Sequence, residues 1–243
     1  MAKPNFIELR EGKVYHRIPI IYEDRNVLAV DKPRHWMLVP FTWQRTNRNL
    51  QAAITSSIIG GDFWATSRNL KFLRFVHRLD ADTTGILLFA KSAGAARAFG
   101  DLFESRQIEK RYLAVVTGVP KQREWTCDAA IGPDPDHVGS MKVSDEGKES
   151  ETQFRVIETR GERTLIEARP LSGRTHQIRL HLRAAQLPIL GDVLYGKKTD
   201  APLALRAVEV NYRDVFTRKP VRIRASEEDF LREYGFAKVT SNQ

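Results

Sequence analysis

Two carboxylates stand two residues apart in 77-HRLDADTTG-85: Asp80 and Asp82, with Arg78 before them and a Thr-Thr-Gly turn after. In an extended segment residues i and i+2 leave the same face, so Arg78 and Asp80 are expected side by side. A guanidinium there holds a carboxylate ionised through charge and hydrogen bonding. An ionised carboxylate serves as a nucleophile or a general base, although the same spacing also describes an ordinary loop ion pair. Asp82 would share Asp80's face if the strand continued. Asp82-Thr-Thr-Gly reads better as a turn in which Asp82 accepts local backbone N–H groups. The pair divides into one reactive acid and one structural acid. A metal site of His77, Asp80 and Asp82 is disfavoured by the Arg78 cation in their midst.

A second cluster lies in 172-SGRTHQIRLHLRAAQ-186. On a helix, His176, Arg179 and Arg183 fall at i, i+3 and i+7 as one basic stripe, with Ile178, Leu182 and Ala185 on an apolar face. A solvated surface is the ordinary reading of such a stripe. With Arg174 in the Ser-Gly-Arg-Thr turn at the helix start, it also suits phosphate binding through N–H groups and cations. His176 and His181 sit on different faces and do not make a metal pair. In 106-RQIEKRYLAVVTG-118, Tyr112 opens an apolar strand behind Arg106, Lys110 and Arg111. It reads as a core aromatic or as a platform for a splayed RNA base. The chain has no phosphate-cradling Gly-Lys loop, no dinucleotide-binding glycine pattern and no Gly-x-Ser-x-Gly nucleophile turn.

The elements that must position these groups are mostly strands. Residues 1–17 are polar and read as an irregular N-terminal arm. Residues 18–33 read as strand, turn, strand, and 49–61 as a helix stopped by Gly60 and Gly61. The apolar run 86-ILLFAK-91 is a buried strand directly after the acidic turn. Ser92 caps a helix over 92–105 whose Ala95, Phe99, Leu102 and Phe103 recur at helical spacing. Strands are expected at 111–118, 125–131, 151–158 and 164–170, with 132–150 a long surface loop. The helix at 176–186 is followed by a tight loop at 188–196, strands at 204–212 and 221–225, and a last helix over 226–235 capped by Ser226. Strands outnumber helices and several are adjacent. The pattern argues an α+β fold with a large mixed, mostly antiparallel sheet flanked by helices, not a doubly wound parallel sheet.

The 243 residues suffice for a real core, and the net charge of +9 points to a polyanion partner, most often nucleic acid. One cysteine, Cys127, permits neither a disulfide within the chain nor a cysteine-based zinc site. A reducing, cytoplasmic setting fits, with Cys127 a buried structural thiol. No apolar run approaches 18 residues, so no membrane span is expected.

Assembled, these residues resemble a pseudouridine synthase of the RluA type. The resemblance rests on HRLDADTTGILLFAK, which follows the family's H-R-L-D-x-x-T-[ST]-G pattern, and on 20-IIYEDRNVLAVDKP-33, EKRYLAVVTG, GKESETQFRVIE, SGRTHQIRLHL and PILGDVLYG. Six blocks in the family's order cover about residues 18–225, which implies one catalytic domain over 18–243. The family breaks the N-glycosidic bond of a uridine in RNA, rotates the uracil and joins it to the ribose through carbon. By motif, Asp80 corresponds to the essential aspartate, Tyr112 to the tyrosine that stacks on the target uracil, and Arg179 to the arginine that pairs with the catalytic carboxylate. Arg78 resembles a group holding rearranged RNA near the site, and Arg174, His176 and Arg183 are implied RNA contacts. Asp80 would attack the ribose, add to the uracil or abstract the 2′ proton. A stacked uridine must be flipped out first, into a pocket that excludes water.

The resemblance implies RNA as partner, ribosomal or transfer, a monomer, and neither metal nor organic cofactor. It departs from the pattern at two places. Relatives commonly read D-K-P-x-G-L where this chain reads 31-DKPRHWML-38, and L-x-L-H-A where it reads 203-LALRA-207, with Arg206 for histidine. The S4-type RNA-binding domain that often precedes the family's core is expected to be absent. The alternative is a catalytically inactive RNA-binding protein of the same fold, against which the intact Asp80, Tyr112 and Arg179 set speaks. A retaining glycoside hydrolase using Asp80 and Asp82 needs carboxyls flanking a bond with water access, and acids so close in a turn are poorly placed for it.

Overall fold

Alternation inside a polar stretch makes strand where an arm was expected. The computed structural model describes residues 2–38 and 48–237. β1 (Phe6–Glu11) and β2 (Val14–Glu23) pair antiparallel across a two-residue turn in which Gly12 has φ +60°. Ile7, Leu9 and Ile18 point inward and are fully buried, while Glu8, Arg10 and Arg17 point out. The irregular arm over 1–17 is thus corrected to a hairpin. Its charged outward positions hide a period of two that three buried side chains establish.

The chain forms two compact units, Met1–Ile108 with Glu209–Ala225, and Glu109–Val208 with Ser226–Gln243, where the sequence implies an arm and one domain. In the first unit β2 leads through an Asp24 turn, whose Oδ1 accepts from Asn26 and Val27 N–H (both 2.7 Å), into β3 (Val27–Lys32). α1 (Leu50–Ile59) is capped by Asn49, whose side chain accepts from Ala52 N–H, and α2 (Phe63–Thr66) follows. β4 (Arg74–Phe75) precedes the acidic segment and pairs with β5 (Thr84–Ala90), every residue of which is buried. β3 runs antiparallel to β5 in a register that sets Asp31 opposite Ile86 and Lys32 opposite Gly85. α3 (Ala93–Glu104) begins as expected, with Ser92 Oγ accepting from Ala95 N–H at 3.1 Å and Ala95, Phe99 and Leu102 buried.

In the second unit the strand order is β6-β11-β10-β7, all antiparallel, from β6 (Glu109–Thr117), β7 (Glu124–Cys127), β10 (Thr152–Arg160) and β11 (Arg163–Pro170). The strand expected over 125–131 breaks after Cys127. Its last residue starts β8 (Ile131–Pro133), which pairs with β9 (Met141–Val143) inside the expected 132–150 loop. Turn-forming residues on both sides mask this short hairpin. Cys127 is half-buried rather than buried, and burial pushes its thiol up. α4 (Gln177–Ala184) buries six consecutive side chains, Gln177 to Leu182. β12 (Leu205–Arg213) then pairs with β13 (Pro220–Arg224) in the first unit, and α5 (Glu228–Glu233) closes the second. Glu227, not Ser226, is the cap of α5, although Ser226 Oγ still accepts from Glu228 N–H at 3.3 Å. The α+β class with mostly antiparallel sheet is borne out.

Candidate active site

Asp80 lies on the loop between β4 and β5, half-buried, one residue beyond the buried Leu79. The loop turns where Thr83 N–H donates to the Asp80 carbonyl at 3.2 Å, and β5 carries the chain away into the core. Beneath it sits Lys32, a fully buried lysine. Its Nζ donates to the carbonyls of Ala81 (2.7 Å), Pro33 (3.0 Å) and Trp36 (3.1 Å), which ties the acidic loop to the turn after β3. The β3–β5 register delivers Lys32 to this point. Burial pulls the Lys32 ammonium down to about 8, against the opposing pull of the negative charges on Asp82 and Asp80.

The flanking residues differ from expectation. Arg78 is exposed and forms no ion pair with Asp80 among the described residues. The segment is irregular here, so the i, i+2 rule of an extended strand does not bring the two together. The turn hydrogen bond expected of Asp82 is made instead by the Asp80 carbonyl, and Asp82 Oδ1 pairs with His35 Nδ1 at 2.9 Å. His35 itself has φ +66°. That conformation costs a non-glycine residue about 1–2 kcal/mol, and an exposed ion pair returns about 0–1 kcal/mol. His77 Nε2 accepts from Leu88 N–H at 3.1 Å and its ring stacks on Phe103, so this histidine braces β5.

In the second unit α4 is not a solvated stripe. Arg179 is 6% exposed and grips Asp192, 1% exposed, through Nε (2.8 Å) and Nη2 (2.7 Å). Asp192 Oδ1 also accepts from the backbone N–H of Leu194 and Tyr195, both at 3.0 Å. Burial by itself would raise the Asp192 carboxyl; the Arg179 hydrogen bonds and charge, with the two N–H groups, outweigh it and hold the acid below the usual carboxylate range. Gly191 makes this turn possible, because at φ +75° a Cβ there would lie 2.2 Å from the Pro202 carbonyl oxygen. His176, Arg179 and Arg183 converge on one ring, Tyr195. His176 Nδ1 meets its Oη at 2.7 Å, and the two guanidiniums lie 5.0 and 5.9 Å from its centroid.

Arg174 Nε donates to the Glu149 carbonyl at 2.9 Å. The turn before α4 is closed by buried Gln177, whose Oε1 accepts from Ser172 Oγ and Arg174 N–H, and whose Nε2 donates to Glu151 O and Thr152 Oγ1. His181 is fully buried between Ser150 Oγ, Ala129 O and Thr152 Oγ1, and burial lowers its imidazole below the ordinary range. Tyr112 is 8% exposed on β6 opposite Ala168. Asp80 and Arg78 thus belong to the first unit, and Tyr112, Arg174, His176, Arg179 and Arg183 to the second. Residue-by-residue reading misses Lys32, His35, Asp192 and Tyr195, which lie in quoted blocks but gain meaning from partners 12 to 54 residues away. The aspartate and tyrosine of PILGDVLYG were the one available signal.

The fold is that of RNA pseudouridylate synthases. Human RNA Pseudouridylate Synthase Domain Containing 4 superposes with a TM-score of 0.70 at 21% identity over 89% of this chain and 92% of its own. Human RNA Pseudouridylate Synthase Domain Containing 1 gives 0.66 at 24% identity, over 86% and 83%. The chain belongs to the RNA pseudouridylate synthase family, whose model matches residues 26–184. It is 34% identical over 219 residues to ribosomal large subunit pseudouridine synthase C of Vibrio vulnificus, covering 85% of this chain and 64% of that one. It is 33% identical over 187 residues to the uncharacterized RNA pseudouridine synthase YlyB of Bacillus subtilis, covering 74% and 58%. The chain thus spans about three-fifths of the length of these relatives.

Proposed function

We propose that this chain isomerises specific uridines of ribosomal or transfer RNA to pseudouridine, acting as a cytoplasmic monomer, with Asp80 as the essential carboxylate. The observation that carries the reading is the family match, which spans the segment holding Asp80 on a loop clamped from below by Lys32. Tyr112 is the proposed aromatic platform for the flipped uracil, and Arg179, oriented by Asp192, is the proposed cation of the reaction. Arg78, exposed and without a carboxylate partner among the described residues, is suited to an RNA phosphate, as is Arg183. His176 and Arg174, engaged with Tyr195 and Glu149, shape the turn that presents them. The large-subunit designation of the Vibrio vulnificus relative supports ribosomal RNA first. Pseudouridine maps of total RNA with and without the gene, rescued by wild type and by Asp80→Ala, test this. A site lost on deletion and restored by wild type alone supports the proposal, and equal rescue by Asp80→Ala refutes it.

The buried lysine gives the reaction a pH signature. The folded state lowers Lys32 from its ordinary 10.5 to about 8. Between those values the unfolded chain binds more protons, so this group's contribution to stability rises with pH. Function runs the other way. Above about 8 the neutral amine has two hydrogens for three carbonyls, and the grip on Ala81 loosens. The rate of pseudouridine formation is expected to decline through one ionisation near pH 8 without loss of thermal stability from this group. Lys32→Met is expected to be slower and to lack that limb; a wild-type profile flat to pH 10 would exclude the role.

RNA affinity is expected to fall steeply with salt, because phosphate contacts release counterions. A log–log slope of about −0.7 per neutralised phosphate holds for single strands. Filter binding of bulk ribosomal RNA between low and physiological salt measures it, and a flat response would remove the electrostatic argument from the +9 charge.

A further inference from the structure

The turn after β3 and the acidic loop are tied at two points. Lys32 holds Pro33 O and Trp36 O on one side and Ala81 O on the other. His35 Nδ1, from the same turn, meets Asp82 Oδ1 at 2.9 Å. Ala81 and Asp82 are the two residues that follow Asp80. A loop held at one carbonyl can pivot about it, whereas a second hold on the next side chain fixes its orientation. We propose that the His35–Asp82 pair is a latch that orients the Asp80 loop, which makes both of them positioning residues for the reaction. The proposal rests on the role given above to Asp80.

Stability does not account for the pair. His35 and Asp82 are 64% and 45% exposed, so water and salt screen their attraction. His35 also holds φ +66°, a conformation strained for any residue with a Cβ. Glycine would take that backbone freely but has no side chain to reach Asp82. This chain keeps the strained residue and spends its side chain on the carboxylate beside the reactive one. Strain kept without a gain in stability, next to the group that does the chemistry, marks a residue that orients.

The test uses the full chain as wild type, His35→Gly, Asp82→Asn and the double variant, with Asp80→Asn as the inactive reference. The probe is deproteinised total RNA from cells lacking the gene, with pseudouridine counted by mapping and by rate. Each single variant is expected to lose about five- to tenfold in kcat with KM little changed. The double variant is expected to be no slower than the worse single, because both remove one interaction. The midpoint of thermal unfolding for His35→Gly is expected to stay within about 2 °C of wild type. Wild-type kcat in His35→Gly, or additive losses in the double variant, would overturn the latch while leaving the proposed function intact. A loss confined to KM would make His35 an RNA contact and also overturn it. If wild type itself forms no pseudouridine, the proposed function fails and the latch fails with it.

Discussion

Asp80→Asn is expected to reduce the single-turnover rate of pseudouridine formation by about 10³-fold or more, the scale seen when a reacting group is removed. The amide has nearly the carboxylate's shape but neither its charge nor its basicity, so it serves neither as nucleophile nor as base. The fold is expected to survive, because two of the bonds that hold the loop do not use the Asp80 side chain. Thr83 N–H binds the Asp80 carbonyl and Lys32 binds the Ala81 carbonyl, and neither needs the Asp80 side chain. RNA affinity is expected to change little, since phosphate contacts dominate it. The same variant removes one of the two negative charges that hold up the Lys32 ammonium. Lys32 should then lose its proton at lower pH, a shift that NMR of a labelled lysine side chain can follow. Wild-type turnover in a folded Asp80→Asn protein would refute the mechanism outright.

Asp192→Ala carries the largest expected cost to stability, about 3–5 kcal/mol, because it strands a buried guanidinium. Arg179 and Asp192 share two hydrogen bonds where water hardly reaches, and Leu194 and Tyr195 would lose their N–H acceptor as well. Urea unfolding measures the loss. Arg179→Met combined with Asp192→Leu fills the same space without charge and is expected to regain part of the stability, the Leu194 and Tyr195 N–H groups still lacking their acceptor. It should not regain turnover if Arg179 is the cation the reaction needs, as proposed. Recovery of both would show that the ion pair only holds the turn together. The pH dependence has a definite sign. Asp192 is held below its unfolded value, so its contribution is present above the usual carboxylate range and is lost as pH falls through the lowered value.

Much of the architecture was legible in the chain because its signals are local. Ser92 before Ala95, Phe99 and Leu102 marks α3, and the apolar 86–91 run marks β5, since capping and periodicity act over a few residues. Where the local signal is diluted, the reading fails. β1 and the first residues of β2 set charged side chains among apolar ones, and β8 and β9 are three-residue strands set among turn formers. Their stability comes from partners across the pairing, which composition does not show.

The candidate site follows the same division. The order of residues by itself pointed to the family, which the match over 26–184 bears out, whereas the turn chemistry it assigned to Asp82 belongs to the Asp80 carbonyl. Tertiary structure decided what surrounds them. Asp82 binds His35, 47 positions earlier in the chain; Lys32 reaches Ala81 because β3 and β5 are in register; and the helical stripe became a buried pair with Asp192. A side chain's type and its near neighbours are written along the chain. Its protonation, exposure and partner depend on what the fold brings within hydrogen-bonding distance, and only packing sets that.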